Sequence, residues 1–292
     1  MPFLKDFEPI LSENVPLARL TSMKVGGPAR FLFQPRSVAE LTSLIAALAG
    51  ESIAWRIIGG GTNIIAADAG FPGALIRLAG DFTRIAFDGH LATAGAAAPL
   101  ARFVRECAEL GLSGAEGLVG IPGTIGGALV MNAGGRWGSI SDILDYVRIL
   151  DETGLPRLHR ACEINFSYRA SSLKGLIILE AGFVLAEAAP ADVARATRDY
   201  LDRKRASQDL GASSAGCVFR NPPEGPSAGE LIDRAGLKGA SVGGALVSHR
   251  HANFIVNAGS ATAKDVLELV EIVRKRVFEV SGVQLQPEVH LW

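Results

Sequence analysis

The sequence predicts an α+β protein with a large first domain and a smaller second one. Three observations lead to this prediction: strand and helix patterns alternate along the first two thirds, a second α/β pattern follows, and glycine clusters in long loops. With 292 residues, 48% of them hydrophobic, the chain is long enough for large buried cores. We predict a first domain over 1–200, with subdomains at about 1–75 and 76–200, a second domain over 201–283, and a tail over 284–292 that returns to the functional site.

Local capping and hydrophobic patterns define the elements of the first domain. Ser37 and Glu40 form a capping box for a helix that stops at Gly50. Another helix is predicted over 99–110 and ends at Gly111. Hydrophobic runs bounded by turn-forming residues predict strands over 30–34, 55–58, 74–78, 84–87, 91–94, 146–151 and 175–185.

The second domain is predicted from the same kinds of signal. A helix over 191–206 follows Ala189-Pro190, and Ser227 with Glu230 caps a short helix that ends at Gly236. Thr262 caps a long helix over 263–280 that stops at Gly282. Strands are predicted over 242–247 and 252–257, and the tail is extended.

Composition excludes several functional classes. The net charge is -1, and the basic cluster Arg203-Lys204-Arg205 is expected on a solvated helix face, so no nucleic-acid partner is predicted. Cys107, Cys162 and Cys217 have no metal-site spacing, so no metal is predicted and a reducing compartment fits best. Neither a signal peptide nor a membrane-spanning stretch is recognisable. We therefore expect a cytoplasmic protein without membrane insertion, and a monomer.

The first candidate ligand-binding segment, called here the first glycine loop, is Gly59-Gly60-Gly61-Thr62-Asn63. Successive glycines allow backbone N–H groups to turn toward an anion and approach it closely. The spacing differs from G-x-G-x-x-G and no strong helix pattern follows, so a Rossmann-type loop is not predicted. Alone, the run fits a phosphate cradle and a plain turn between strands equally well.

The second glycine loop, residues 120–127, favours the cofactor interpretation. It has the sequence Gly-Ile-Pro-Gly-Thr-Ile-Gly-Gly, and Met131-Asn132-Ala133-Gly134 follows shortly after. So many glycines make a poor helix and a poor strand, which indicates a backbone that approaches a ligand over a long contact. Two such loops predict a long cofactor with two phosphates. Its predicted binding residues are Gly59, Gly60, Gly61, Thr62, Asn63, Pro122, Gly123, Thr124, Gly126 and Gly127.

Four further segments join the two loops in a distinctive order. They are Val25-Gly26-Gly27-Pro28-Ala29, Tyr168-Arg169, Cys217–Pro222 and Pro287-Glu288-Val289. In this order the six segments resemble the UDP-N-acetylenolpyruvoylglucosamine reductase family, flavoenzymes of peptidoglycan precursor synthesis. The resemblance extends over nearly the whole chain, and it is the combination of segments that makes it specific.

The resemblance implies a noncovalent FAD and NADPH as co-substrate. The implied fold is a two-part FAD-binding domain of the vanillyl-alcohol-oxidase type plus a smaller α/β substrate-binding domain. Covalent flavin attachment in that superfamily uses a His or Cys near the loops, and neither 59–63 nor 120–134 contains one. Longer family members carry an insert with a substrate-gripping tyrosine. Here Tyr200, inside a predicted helix, is the only tyrosine between Arg169 and Cys217, which indicates the compact subtype.

Three catalytic residues are implied by the same resemblance. Arg169 would hold a developing enolate, because its planar guanidinium keeps its charge. Cys217 lies where many members carry a serine that protonates the substrate carbon, and an unperturbed thiol, with a pKa of roughly 8.5, is the better acid. Glu288 would polarise the carboxyl region of the intermediate or orient the acid. Family members often carry arginine at the position of His290.

The implied reaction reduces the enolpyruvyl group of UDP-N-acetylglucosamine enolpyruvate to give UDP-N-acetylmuramate. NADPH reduces FAD, flavin N5 passes hydride to the terminal carbon of the enolpyruvyl group, and Cys217 supplies the proton. Tyr168 and Asn221 match positions that contact the UDP-sugar substrate in relatives.

Three alternatives stay open at this point. Another noncovalent flavin oxidoreductase of the same superfamily, acting on a sugar or alcohol, would explain the glycine loops. A cysteine hydrolase could use Cys217 with His249 or His251. A nonenzymatic module would bind a nucleotide without turnover.

Overall fold

A computed structural model describes residues 2–292 of the chain and divides it into two compact units of discontinuous sequence. The first unit comprises Met1–Ser12, Leu32–Gly60 and Gly73–Lys204. The second unit comprises Glu13–Phe31, Gly61–Pro72 and Arg205–Trp292. Two short N-terminal segments therefore cluster with the C-terminal residues. The functional domain boundaries expected from the sequence stay a prediction.

Residues 2–292 contain six α-helices, and their termini follow the capping signals in the sequence. They are α1 (Val38–Gly50), α2 (Leu100–Glu109), α3 (Ile125–Val130), α4 (Pro190–Ser207), α5 (Ala228–Arg234) and α6 (Ala263–Ser281). The hydroxyl groups of Ser37, Ser227 and Thr262 accept backbone N–H bonds at the starts of α1, α5 and α6. Gly282 ends α6 in the left-handed conformation, with φ 71°.

The strands are mostly short. In chain order they are β1 (Leu11–Pro16), β2 (Pro28–Phe33), β3 (Trp55–Ile57), β4 (Ile64–Ile65), β5 (Phe71–Ile76), β6 (Ile85–Asp88), β7 (Leu91–Gly95), β8 (Leu112–Ser113), β9 (Gly134–Gly135), β10 (Gly138–Ser139), β11 (Leu144–Leu150), β12 (Pro156–Arg160), β13 (Phe166–Ser167), β14 (Ala170–Ser171), β15 (Ile177–Val184), β16 (Ala186–Glu187), β17 (Ser214–Cys217), β18 (Ser241–Val242), β19 (Ala245–Val247), β20 (Phe254–Asn257) and β21 (His290–Leu291). One four-stranded sheet has the order β1-β2-β5-β3, in which β3 and β5 are parallel.

The first unit is built on the antiparallel sheet β12-β11-β15-β7-β6. Helix α2 buries Leu100, Phe103 and Cys107, which lie on one face of the helix because of their spacing. Phe103 packs against Phe183 of β15, with ring centroids 4.8 Å apart. Burial of such an aromatic pair removes apolar area from water and adds a favourable ring contact. This packing anchors α2 to the first unit.

The second unit contains the antiparallel sheet β17-β20-β19-β18 and the long helix α6. Helix α6 contributes Val266, Leu269, Val270, Val273 and Val277 to the core, which is a continuous apolar stripe. Residues from the N-terminal segments complete the same core: Met23, Val25 and Ile65. The tail joins this unit through β21, which pairs in parallel with β4.

Two predicted elements need correction. The single strand expected over 242–247 is a hairpin of β18 and β19, because Gly243 has φ 50° and the chain reverses there. A Cβ atom at Gly244 would lie 2.3 Å from Ala261 N, so the turn requires a glycine at that position. The second glycine loop, expected to be irregular, ends in the first residues of α3. Thr124 caps this helix and its apolar residues are buried, which offsets the low helix propensity of glycine.

None of the helices found in residues 2–292 combines the length and apolar character needed to cross a lipid bilayer.

Asp68 links a short N-terminal segment to the start of α6. Its carboxylate oxygens accept the backbone N–H groups of Ala263 at 2.8 Å and Lys264 at 3.0 Å. The Thr262 hydroxyl accepts the N–H of Asp265 at 3.1 Å, so side chains satisfy several otherwise unpaired donors of this helix. A carboxylate at a helix N-terminus also interacts favourably with the helix dipole.

We predict that Asp68→Ala lowers the free energy of unfolding by about 1 kcal/mol, the usual cost of losing a helix cap. Urea denaturation followed by circular dichroism measures this change. Asp81→Ala is the matched control, because Asp81 forms an ion pair with Arg84 in which both side chains are exposed. That loss should stay within about 0.5 kcal/mol. Equal losses in the two variants would contradict the capping role.

Candidate active site

The first and second glycine loops approach each other within the first unit. A Cβ atom at Gly59 would lie 2.7 Å from Thr124 Oγ1, which is closer than van der Waals contact allows. Thr124 cannot easily move, because its Oγ1 accepts the N–H of Gly127 at 3.4 Å. Gly126 donates its N–H to Ala96 O at 2.8 Å, and a Cβ there would lie 3.1 Å from Ala96 Cβ. Glycine at positions 59 and 126 therefore permits close packing of these segments against Thr124 and Ala96, and their approach to a cofactor stays a prediction.

The second half of the first glycine loop belongs to the second unit, where it is tied to the tail. Gly61 has φ 62°, and a Cβ at this position would lie 2.0 Å from Leu20 O. Asn63 Nδ2 donates to Glu288 O at 3.2 Å, and Asn63 O accepts the N–H of His290 at 2.9 Å. Asn63 therefore holds the tail at the residue predicted to be catalytic.

Arg169 lies at the tip of a hairpin formed by β13 and β14. Tyr168 and Arg169 form its two-residue turn, and Arg169 has a left-handed backbone with φ 56°. The Arg169 Nη1 donates to Gly134 O at 2.8 Å, and its Cζ lies 5.2 Å from the centre of the Tyr168 ring. The Tyr168 side chain is 51% exposed, so it is accessible for a ligand contact. The structure thus brings the predicted catalytic arginine and one predicted substrate residue together.

Cys217 ends β17 in the second unit and is half-buried. The next residue, Val218, accepts the backbone N–H of Glu288 at 2.7 Å through its carbonyl oxygen. Asn63 attaches to the same stretch of the tail, as described above. We call Asn63, Cys217 and Glu288 the Cys217–Glu288 cluster, because the backbone of Glu288 is bonded to Val218, which follows Cys217, and to the side chain of Asn63.

Asn253 fixes the backbone that follows Cys217. Its side chain is buried, with Oδ1 accepting the N–H of Phe219 at 2.9 Å and Nδ2 donating to Phe219 O at 2.8 Å. A buried amide that satisfies both backbone groups of one residue holds that residue like a strand partner. Sequence reasoning missed Asn253, because an isolated asparagine in a hydrophobic segment carries no spacing signal.

Asn221, the second predicted substrate residue, has a structural contact in this unit. Its Oδ1 accepts the N–H of Ala228 at 3.0 Å, in the first turn of α5. The side chain therefore positions the segment between β17 and α5. Its contact with substrate stays a prediction.

Lys204 was expected on a solvated helix face and is buried, at 9% exposure. Its Nζ donates to Val119 O at 2.5 Å and to Gly117 O at 3.3 Å, directly before the second glycine loop. The Trp137 ring, stacked on Tyr200 at 4.8 Å, lies 5.9 Å from the same Nζ. Burial, and the positive charge of Arg169, lower the pKa of Lys204 from 10.5 to about 8. Helical spacing could have revealed this burial, because position 204 lies on the face of α4 that carries buried Val193.

His251, one of the two histidines considered for a hydrolase, has a structural role. His251 Nδ1 accepts the N–H of Asn253 at 3.3 Å, and its ring lies 4.8 Å from that of Phe254. Burial, and secondarily the charge of Lys238, lower the pKa of His251, so the ring stays neutral at physiological pH.

Comparison with known proteins matches both the N-terminal and the C-terminal part of the chain to family models. Residues 208–292 match the family model of the UDP-N-acetylenolpyruvoylglucosamine reductase C-terminal domain, and residues 29–157 match an FAD binding domain. A UDP-N-acetylenolpyruvoylglucosamine reductase 2 from Symbiobacterium thermophilum is 43% identical over 95% of this chain and 90% of its own length. The chain belongs to the UDP-N-acetylenolpyruvoylglucosamine reductase family.

Two further relatives of this reductase family extend the comparison. The reductase of Heliobacterium modesticaldum is 40% identical over 98% of this chain and 92% of its own. The crystal structure of UDP-N-acetylenolpyruvylglucosamine reductase from Thermus caldophilus superposes with a TM-score of 0.85 and 39% identity, covering 96% of this chain and 98% of that one. The predicted α+β class with an FAD-binding domain is confirmed.

This reductase-family chain is a flavin-dependent oxidoreductase with FAD as its cofactor. The close approach at Gly59 and Gly126 fits a cofactor held by backbone groups. Family membership contradicts the hydrolase and the nonenzymatic module. The assignment of individual residues to FAD or substrate stays a prediction.

We predict that Gly59→Ala weakens FAD binding. The added methyl group must displace Thr124 from its capping position, a strain of about 1–3 kcal/mol, which corresponds to roughly 5- to 150-fold in Kd. Titration of the apoprotein with FAD, followed by flavin fluorescence, measures this change. Gly50→Ala is the control, because no atom lies within 4 Å of a Cβ at this helix end. A wild-type Kd for Gly59→Ala would contradict the role of this contact.

We also predict a pH signature of buried Lys204. Its pKa is lower in the folded state than the ordinary value of 10.5, so the unfolded chain binds more protons between about pH 8 and 10.5. Relative to Lys204→Met, the wild type should gain unfolding free energy as pH rises through this window, by at most about 1.4 kcal/mol per pH unit. Urea unfolding of both proteins across the window measures the difference. A difference that stays constant would show that Lys204 is solvated.

Proposed function

We propose that this enzyme reduces the enolpyruvyl group of UDP-N-acetylglucosamine enolpyruvate to give UDP-N-acetylmuramate, with NADPH as the reductant. The Cys217–Glu288 cluster carries this proposal, because the backbone of Glu288 is hydrogen-bonded to Val218, the neighbour of Cys217, and to Asn63 of the first glycine loop. Bound FAD supplies the two-electron chemistry that links NADPH to the substrate. The protein supplies binding, orientation and the proton.

In this proposal Cys217 donates the proton to the alpha carbon of the enolpyruvyl group. The flanking backbone supports such a role, since Val218 O is bonded to Glu288 N and Phe219 is held by the Asn253 amide. A proton donor must be held at a defined distance from the carbon that receives its proton. The half-buried thiol meets that need with limited exposure to water.

Arg169 and Glu288 stabilise and orient the enolate in this proposal. The Arg169 guanidinium donates to Gly134 O, which restricts its motion, and its planar group of donors matches the geometry of a carboxylate. A permanently charged and pre-oriented group is suited to negative charge that develops during the reaction. The backbone of Glu288 is held by Val218 O, and we propose that its carboxylate orients the acid or polarises the carboxyl end of the intermediate.

Substrate contacts are proposed for Tyr168, through its exposed ring, and for Asn221. The two glycine loops are proposed to hold the FAD diphosphate through backbone N–H groups. We further propose that the reaction takes place in the cytoplasm and that the enzyme is a monomer. The reduced thiols of Cys107, Cys162 and Cys217 are in keeping with a reducing compartment.

The decisive experiment is anaerobic stopped-flow absorbance at the flavin band. The enzyme is first reduced with NADPH and then mixed with the enolpyruvyl UDP-sugar. Rapid flavin reoxidation with formation of UDP-N-acetylmuramate is expected. Reduction by NADPH without reoxidation by this substrate would overturn the proposal in favour of another substrate for the same flavin.

Cys217 variants test the proton-donor role. Cys217→Ser should retain much of the activity, whereas Cys217→Ala should leave flavin reduction by NADPH intact and slow reoxidation by about 10²–10⁴-fold, the usual contribution of a general acid. The same stopped-flow measurement separates the two steps. Cys162→Ala, which removes an exposed thiol, is the control and should behave as wild type. Normal turnover by Cys217→Ala would exclude the thiol as the donor.

A further inference from the structure

Three side-chain hydrogen bonds join the Arg169 hairpin, residues 166–171, to the preceding loop, residues 130–134. Asn132 Nδ2 donates to Ser167 O at 3.1 Å, directly before the turn that carries Arg169. Arg169 Nη1 donates back to Gly134 O at 2.8 Å. Ser171 Oγ donates to Val130 O at 3.0 Å beyond the turn. All three bonds lie within the first unit.

The Arg169 hairpin depends on these contacts for its position. Its two strands are paired at just two register positions, Phe166↔Ser171 and Ser167↔Ala170, and so short a hairpin is unstable by itself. The turn also contains Arg169 at φ 56°, a conformation that costs a residue with a Cβ of order 1 kcal/mol. External contacts must therefore hold the turn in place. The Asn132 hydrogen bond holds Ser167, the residue that directly precedes the turn.

Asn132 is adapted to this contact in its backbone and in its amide. It has φ 42°, a left-handed conformation that asparagine tolerates better than most residues. Ser167 O requires a donor, so the amide nitrogen must face it and the amide oxygen must point elsewhere. That oxygen is buried and accepts no hydrogen bond from any residue in 2–292. The contact with Ser167 is thus kept despite a burial cost of about 1–3 kcal/mol.

We infer that Asn132 is a positioning residue for Arg169: its amide holds Ser167 so that the guanidinium meets the developing enolate in the correct orientation. The inference rests on the proposed catalytic role of Arg169. Asn132 acts through the hairpin and needs no contact with the reacting atoms. It differs from a residue that merely stabilises the fold, because its effect should disappear when the arginine is removed.

Asn132→Gly tests the inference, since glycine adopts the left-handed backbone without strain and lacks the amide. We expect an FAD Kd and a rate of flavin reduction by NADPH within about twofold of wild type. Reoxidation by the enolpyruvyl UDP-sugar should slow by about 10- to 100-fold, the effect of a small misplacement of a catalytic group. In an Arg169→Ala background, Asn132→Gly should cause no further loss.

Ser171→Ala is the matched comparison, because it removes another bond between the same segments on the far side of the turn. It should slow reoxidation less than threefold. Equal losses in Ser171→Ala and Asn132→Gly, a wild-type rate for Asn132→Gly, or independent effects of Asn132→Gly and Arg169→Ala would each overturn the inference. Failure of the wild-type flavin to be reoxidised by this substrate would instead overturn the proposed function. The two failures are therefore distinguishable.

Discussion

The cofactor-binding part of this protein depends on the close approach of neighbouring chain segments. Such an approach is possible only where a glycine leaves out the side chain. Gly59 lies against Thr124 at a distance that leaves no room for a Cβ atom, and Gly126 lies so close to Ala96 that a Cβ atom there would be crowded. Thr124 meanwhile caps α3, so one hydroxyl both starts a helix and limits the space beside the first loop. Lys204 adds a buried charge on the carbonyl groups that precede the second loop. Loop geometry is therefore set by packing and buried hydrogen bonds together, before any cofactor binds.

In the second unit, the predicted catalytic side chains lie in segments with little regular structure. The tail has a single two-residue strand, β21, yet Glu288 and His290 are fixed by backbone bonds to Val218 and Asn63. The side-chain amide of Asn253 likewise fixes the backbone of Phe219. Hydrogen bonds to the backbone fix where a residue lies without using its side chain.

Sequence reasoning succeeded where the determining forces are local. Helices α1, α5 and α6 carry their own caps, so their boundaries could be predicted from a few adjacent residues. It failed where distant residues decide the outcome. The glycine-rich α3 forms because its apolar residues are buried, and Lys204 is buried because carbonyl groups some 85 positions earlier accept its hydrogen bonds. The catalytic candidates were found through family resemblance, whereas the amides of Asn132 and Asn253 carry no local signal of their long-range contacts.

The discontinuous second unit has a consequence for the order in which the protein can mature during synthesis. Met23, Val25 and Ile65 belong to the same core as α6, and Asp68 caps that helix across 195 positions. These N-terminal residues leave the ribosome long before their partners exist. Their apolar surface stays unburied until the last part of the chain has been synthesised. This situation favours slow folding and dependence on chaperones. The stretch 208–292 is matched by a family model of its own, yet the core in which it packs includes Met23, Val25 and Ile65 from the N-terminal segments.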